Sequence, residues 1–207
     1  MSKIDHLYMP ENHMDRVYNS RNPLVRIVHR DRLNAIINSL PKKKNQVILD
    51  AGCGEGHLML KMYQSIPLNK YYGFDVSHTA LQSAKKKCKF AKLKYMDLSD
   101  IKIKNNFFDV IVCTEVIEHI YEYQDVINEF KRVLKKGGYL ILTFPNEFFW
   151  TISRFFIGRK PIKVPDHVNS FTPKMMKKFV NLNMQKKIDL PFGFPIISLG
   201  WLVVFRK

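Results

Sequence analysis

The chain has 207 residues, 46% of them hydrophobic, and a formal net charge of +16. That composition excludes a long disordered or fibrous chain and gives one domain, large enough for a sheet covered by helices on both faces. The charge points to an anionic partner such as RNA, a lipid head-group surface or an acidic small molecule. The 25 Lys against 9 Arg, spread over loops and helix surfaces, fit a solvated surface equally well.

The first fifteen residues carry charges early and no apolar core, so no secretory signal is expected. Asn22-Pro23 opens a helix, with Asn as cap and Pro in the first turn. Leu33, Ile36, Ile37 and Leu40 follow at helical spacing until Pro41 and a lysine run end it. Residues 46–50 (QVILD) read as a short buried strand, followed by a glycine-rich turn and a helix over 56–65. A second strand is expected at 70–74, a helix capped by Ser77 up to residue 87, and strands at 92–96 and 107–113. The helix over 125–135 buries Val126, Ile127, Phe130, Val133 and Leu134 and is expected to stop at Gly137-Gly138 in a left-handed ending. A fifth strand covers 139–144, and 145–170 is irregular and aromatic. Thr172-Pro173 opens a last helix, and strands at 187–190 and 201–205 close the sheet.

This alternation predicts an α/β fold with a mostly parallel sheet, whose ligands sit beyond the strand carboxyl ends. The longest uncharged stretch, 190–205, is too short for a membrane span and is broken by Pro191, Gly193, Pro195 and Gly200. A cytoplasmic protein is expected. Cys53, Cys88 and Cys113 show no metal spacing and are expected as free thiols.

Asp50-Ala51-Gly52-Cys53-Gly54-Glu55-Gly56 is the strongest chemical signal. Its alternating glycines allow a tight turn and close approach of a ligand, and the next helix offers unpaired N–H groups to a carboxylate. A dinucleotide site would favour a third glycine where His57 stands. Asp50 suits a cationic ammonium better than a pyrophosphate. Asp75, ending the second strand 25 residues on, can accept bonds from both ribose hydroxyls, and Ser77 is expected to cap the helix and leave that acid free. Asp97 and the amide of Leu98, after the third strand, suit an adenine ring.

DAGCGEG, GFDVS, YMDL, FFDVIVCTEVIEHI and LKKGGYLILTFPN, in that order over residues 47–146, resemble the class I S-adenosylmethionine methyltransferases. The branch they resemble most holds the ubiquinone-biosynthesis O-methyltransferases. The resemblance implies a three-layer Rossmann-like fold with a seven-stranded sheet whose last strand is antiparallel. It also implies cofactor contacts at Asp50, Gly52, Cys53, Gly54, Gly56, Asp75, Val76, Asp97, Leu98 and Thr114, with Arg26 or Arg30 toward the methionine carboxylate. One methyltransferase domain is expected: a helical cap (1–45), a cofactor core (46–145), an acceptor lid (146–171) and a sheet closure (172–207).

Methyl transfer from a sulfonium needs an in-line nucleophile and, for an oxygen acceptor, a base or a metal. Glu115-Val-Ile-Glu118-His119 follows the fourth strand, and in a helix its two acids and imidazole would share a face. Glu118 and His119 are the candidate catalytic pair. Glu115, Glu118, His119 and His167 are candidate ligands of a divalent ion, which is not expected to be required. Similar Glu-x-x-Glu-His motifs bind a divalent ion in small-RNA 3′-end 2′-O-methyltransferases. The aromatic and cationic segment 148–160 could cover an apolar acceptor, lie on an anionic bilayer or stack on RNA bases. The expected acceptor is a small or lipid-like molecule, methylated at oxygen. RNA, read by the basic surface, is the alternative, and a non-catalytic binding module is the third.

Overall fold

The computed structural model describes residues 20–156, 166–191, 193 and 198–207. The first fifteen residues and part of the 146–171 segment therefore lie outside the described residues. The helices are α1 (Pro23–Ser39), α2 (His57–Ser65), α3 (His78–Lys87), α4 (Tyr123–Val133), α5 (Glu147–Phe156) and α6 (Pro173–Val180). The strands are β1 (Val47–Ala51), β2 (Lys70–Asp75), β3 (Ala91–Tyr95), β4 (Phe108–Thr114), β5 (Leu134–Pro145), β6 (Asn183–Leu190) and β7 (Gly200–Arg206).

They form one seven-stranded sheet in the order β3-β2-β1-β4-β5-β7-β6. Strands β1 to β5 run parallel, and β7 is antiparallel to both of its neighbours. This is the expected α/β, Rossmann-like arrangement with an antiparallel last strand. The central strands β1 and β4 are apolar along nearly their whole length because helices cover both faces. On one face Ile48, Val110 and Ile141 pack with Leu33 and Ile36 of α1 and Met59 and Met62 of α2. On the other, Leu49, Ile111 and Leu140 pack with Ile127 and Phe130 of α4 and Met176 and Val180 of α6. Chain order reverses direction between β1 and β4, which opens a crevice at their carboxyl ends.

The expected caps are in place. Leu24 N–H donates to Asn22 Oδ1 at 2.9 Å, Ala80 N–H to Ser77 Oγ at 3.2 Å and Met175 N–H to Thr172 Oγ1 at 3.2 Å. The glycine pair after α4 behaves otherwise than expected. The helix ends at Val133, and Leu134, fully buried, already pairs with Phe108 in the sheet. Gly137, at φ +74°, lies within β5, where the register with β4 shifts. A Cβ on Gly138 would sit 2.9 Å from the Asp109 carbonyl. Burial of Leu134 draws the chain into the sheet before the glycines can act as a helix stop.

Candidate functional site

The turn after β1 is tied to the end of β2. The N–H groups of Gly52 and Cys53 both donate to the Phe74 carbonyl, at 2.8 and 3.0 Å. Gly52, Gly54 and Gly56 have φ of +75°, +50° and +82°, a region that side chains with a Cβ avoid. A Cβ on Gly52 would meet Val116 Cγ2 at 2.4 Å, so the turn lies directly against the segment after β4. Ala51 pairs with Phe74 on one side and Cys113 on the other, so Asp75 and Thr114 flank Gly52 one step further on. The α2 amino end has no side-chain cap.

Asp50 is 2% exposed, and its Oδ2 has no hydrogen-bond partner among the described residues. Burial, reinforced by the charge of Asp75, pushes its carboxyl up to about 7. A buried unpaired carboxyl is costly, so this atom calls for a proton or a cationic donor. Asp75 is not free as expected: its Oδ2 accepts from Gly54 N–H at 2.7 Å and its Oδ1 from Ser77 N–H at 2.8 Å. The acid bridges the glycine turn and the start of α3, while each oxygen keeps a further lone pair for a ligand. Burial pushes its carboxyl up as well. Asp97 Oδ1 accepts from the N–H and hydroxyl of Ser99, both at 2.8 Å, in a local turn that leads into buried Leu98. An orphaned carboxyl oxygen, a tight turn of three left-handed glycines and two more acids at strand ends fit a nucleoside that carries an amino acid.

The segment after β4 is not an α-helix. Glu115 has φ +52°, and only Ile117–His119 forms a 3₁₀ turn. After that reversal the Glu115 side chain is engaged by α1 and β5. Its carboxylate is 2.7 Å from Arg32 Nη1 and accepts from Thr143 Oγ1 at 3.0 Å. The four candidate metal ligands thus reduce to three: ligand atoms of Glu118, His119 and His167 lie within 4.8 Å of one another. Glu118 is 1% exposed, and neither of its oxygens has a hydrogen-bond partner among the described residues. Burial, and then the neighbouring Glu115, holds its carboxyl well above the usual range.

His119 Nδ1 is 2.9 Å from the Asp166 carbonyl. A carbonyl only accepts, so in the neutral ring Nδ1 carries the proton and Nε2, 4.0 Å from Glu118 Oε1, is the accepting nitrogen. Burial holds this imidazole below its usual value, which favours the neutral form. His167 Nδ1 is 2.6 Å from Glu147 Oε1, and the two imidazoles meet edge to face with centroids 4.8 Å apart. The 166–171 loop is pinned to the turn. Val168 and Asn169 both donate N–H to the Glu118 carbonyl at 3.0 Å, and Asn169 Nδ2 donates to the Ile120 carbonyl at 2.7 Å.

Arg26, one expected carboxylate partner, donates instead to the carbonyls of Ser20 and Arg21, and Arg30 is exposed on α1. Arg32 is the α1 arginine that reaches the site. Sequence gives no sign of it, because the depth at which α1 crosses the sheet is a tertiary property. Glu147 was also missed, although an acid directly after a strand end was a usable signal. Glu55 is a third: it is 2% exposed and lies 3.7 Å from Lys87 Nζ, which ties the glycine turn to α3.

A sheet with a glycine turn at its switch point and acids on the adjoining strand ends defines a Rossmann-like nucleoside-binding fold. The methyltransferase-domain family model matches residues 42–190. An uncharacterised protein of Methanocaldococcus jannaschii is 28% identical over 184 residues, 86% of this chain and 77% of that protein. The ubiquinone biosynthesis O-methyltransferase of Pelagibacter ubique is 30% identical over 175 residues, 77% of this chain and 70% of the relative. A match to an uncharacterised methyltransferase of Anoxybacillus flavithermus covers 54% of this chain and 52% of that protein. Among solved structures, a methyltransferase of Thermotoga maritima superposes with a TM-score of 0.73 at 16% identity, covering 95% of each chain. The chain belongs to the methyltransferase-domain family and is a class I S-adenosylmethionine-dependent methyltransferase.

Proposed function

We propose that this methyltransferase transfers the methyl group to an oxygen of a small or lipid-like acceptor in the cytoplasm. Asp50, Gly52, Cys53, Gly54 and Gly56 surround the amino-acid end of the cofactor, Asp75 and Val76 the ribose, Asp97 and Leu98 the adenine, and Thr114 the floor of the cleft. Residues 1–45 cap this core of 46–145, residues 146–171 cover the acceptor, and 172–207 close the sheet. The single observation that carries the oxygen-acceptor reading is the placing of His119, whose Nδ1 lies 2.9 Å from the Asp166 carbonyl.

S-adenosylmethionine, when bound, supplies an activated methyl on a sulfonium. The protein's part is to hold the acceptor in line, an effect that can supply about 7–11 kcal/mol. His119 Nε2 takes the hydroxyl proton, and Asp166 keeps the ring in the right tautomer. Glu118 Oε1, 4.0 Å from this ring, is placed where an acid can stabilise the imidazolium that forms. Replacing His119 by Ala and Glu118 by Gln is expected to lower turnover about 100-fold. Affinity for S-adenosylhomocysteine, measured by calorimetry, should stay nearly constant. Tritiated cofactor incubated with separate lipid, metabolite and RNA fractions identifies the acceptor; label in RNA alone would replace the lipid-like acceptor by RNA.

The convergence of Glu118, His119 and His167 favours a second reading, in which they hold Mg²⁺, Mn²⁺ or Zn²⁺ beside the acceptor oxygen. Titration with each metal, in wild type and in His167→Ala, decides between this and a metal-free base.

A further inference from the structure

The carboxyl rim of the sheet carries an exposed apolar surface that neither core nor cofactor site uses. On α5, Phe148, Ile152 and Phe155 are 68%, 37% and 64% exposed and recur at i, i+4 and i+7, one stripe of the helix. Its first residue, Glu147, holds His167 beside His119, so the stripe borders the candidate acceptor site. Across the rim, Arg32 of α1 reaches Glu115 just past β4, and no residue of α1 before Leu33 is buried. Those leading turns expose Leu24 at 61% and Ile27 at 37%, and Arg21, Arg26 and Arg30 are exposed around them. Arg154 lies on the same helix as that stripe, α5, between Ile152 and Phe155 in sequence.

We propose that this rim, through the outer stripe of α5 and the first turns of α1, rests on an anionic lipid bilayer. Apolar side chains flanked by arginines suit the boundary between acyl chains and negatively charged head groups. Nucleic acid fits less well, because three of these five exposed apolar side chains, Leu24, Ile27 and Ile152, offer no ring on which a base can stack. The net charge of +16 complements an acidic surface. That the docked face also admits the acceptor rests on the lipid-like acceptor proposed above.

The test is co-sedimentation of the full chain with vesicles of phosphatidylcholine alone and of phosphatidylcholine with about one-third phosphatidylglycerol. Wild type should bind the anionic vesicles at least about tenfold more tightly, and added salt should weaken it. Phe148→Asp with Ile152→Asp, and separately Arg26→Glu with Arg30→Glu, should each cut binding about tenfold or more. Circular dichroism and S-adenosylhomocysteine affinity should stay unchanged, which separates loss of docking from loss of fold. Equal binding to both vesicles, wild-type binding by the Asp variants, or single-stranded RNA displacing the vesicles would each overturn the proposal. Absence of label from the lipid fraction would remove the lipid acceptor and leave the docking result intact.

Discussion

Asp50 makes the site's needs visible one residue at a time. Its value in the fold, about 7, lies above the ordinary 3.8. The carboxyl therefore contributes stability that is complete below about pH 4 and is lost as pH rises through 7, on the order of 4 kcal/mol in full. Asp50→Asn should remove this dependence. By thermal denaturation the variant should gain on wild type between pH 5 and pH 8 while binding S-adenosylhomocysteine more weakly. A variant with wild-type pH dependence would show that Asp50 is not the titrating group. Asp75→Ala should weaken the same binding more than about tenfold, because it removes both the proposed ribose acceptor and the brace on Gly54. Unchanged affinity in calorimetry would end the ribose assignment.

At the scale of the element, caps and turns test how firmly sequence sets local structure. Thr172→Ala removes the Oγ1 acceptor at the start of α6 and should cost about 1 kcal/mol in denaturant unfolding. Gly52→Ala should cost more, since the new Cβ meets Val116 in a left-handed backbone. The caps at Asn22, Ser77 and Thr172 were legible because a short polar side chain before a helix has one dominant use. The pair Gly137-Gly138 was misleading, because left-handed glycine serves a strand irregularity as well as a helix end. The turn at Glu115 was not legible either. Glu-Val-Ile-Glu-His has helical spacing, and nothing local announces that Glu115 turns back toward Arg32.

For the whole molecule, the order of elements was readable because the period of burial switches between helix and strand, and the glycine turn marks the switch point. Contacts between distant segments were not. Arg32 with Glu115, Glu147 with His167 and Asp166 with His119 depend on how layers stack, which no window of sequence encodes. Among the described residues no helix is long and apolar enough to cross a membrane. The contact at His119 has one more consequence. Its partner is a peptide carbonyl, so exchanging the side chain at 166 for Ala or Asn should leave the imidazole proton on the same nitrogen, as nitrogen-15 spectra would report. Only a change in the path of the loop can move that proton, and that path is held by two amides on the Glu118 carbonyl. The proposed base is therefore armed by where the chain runs rather than by which residue runs there.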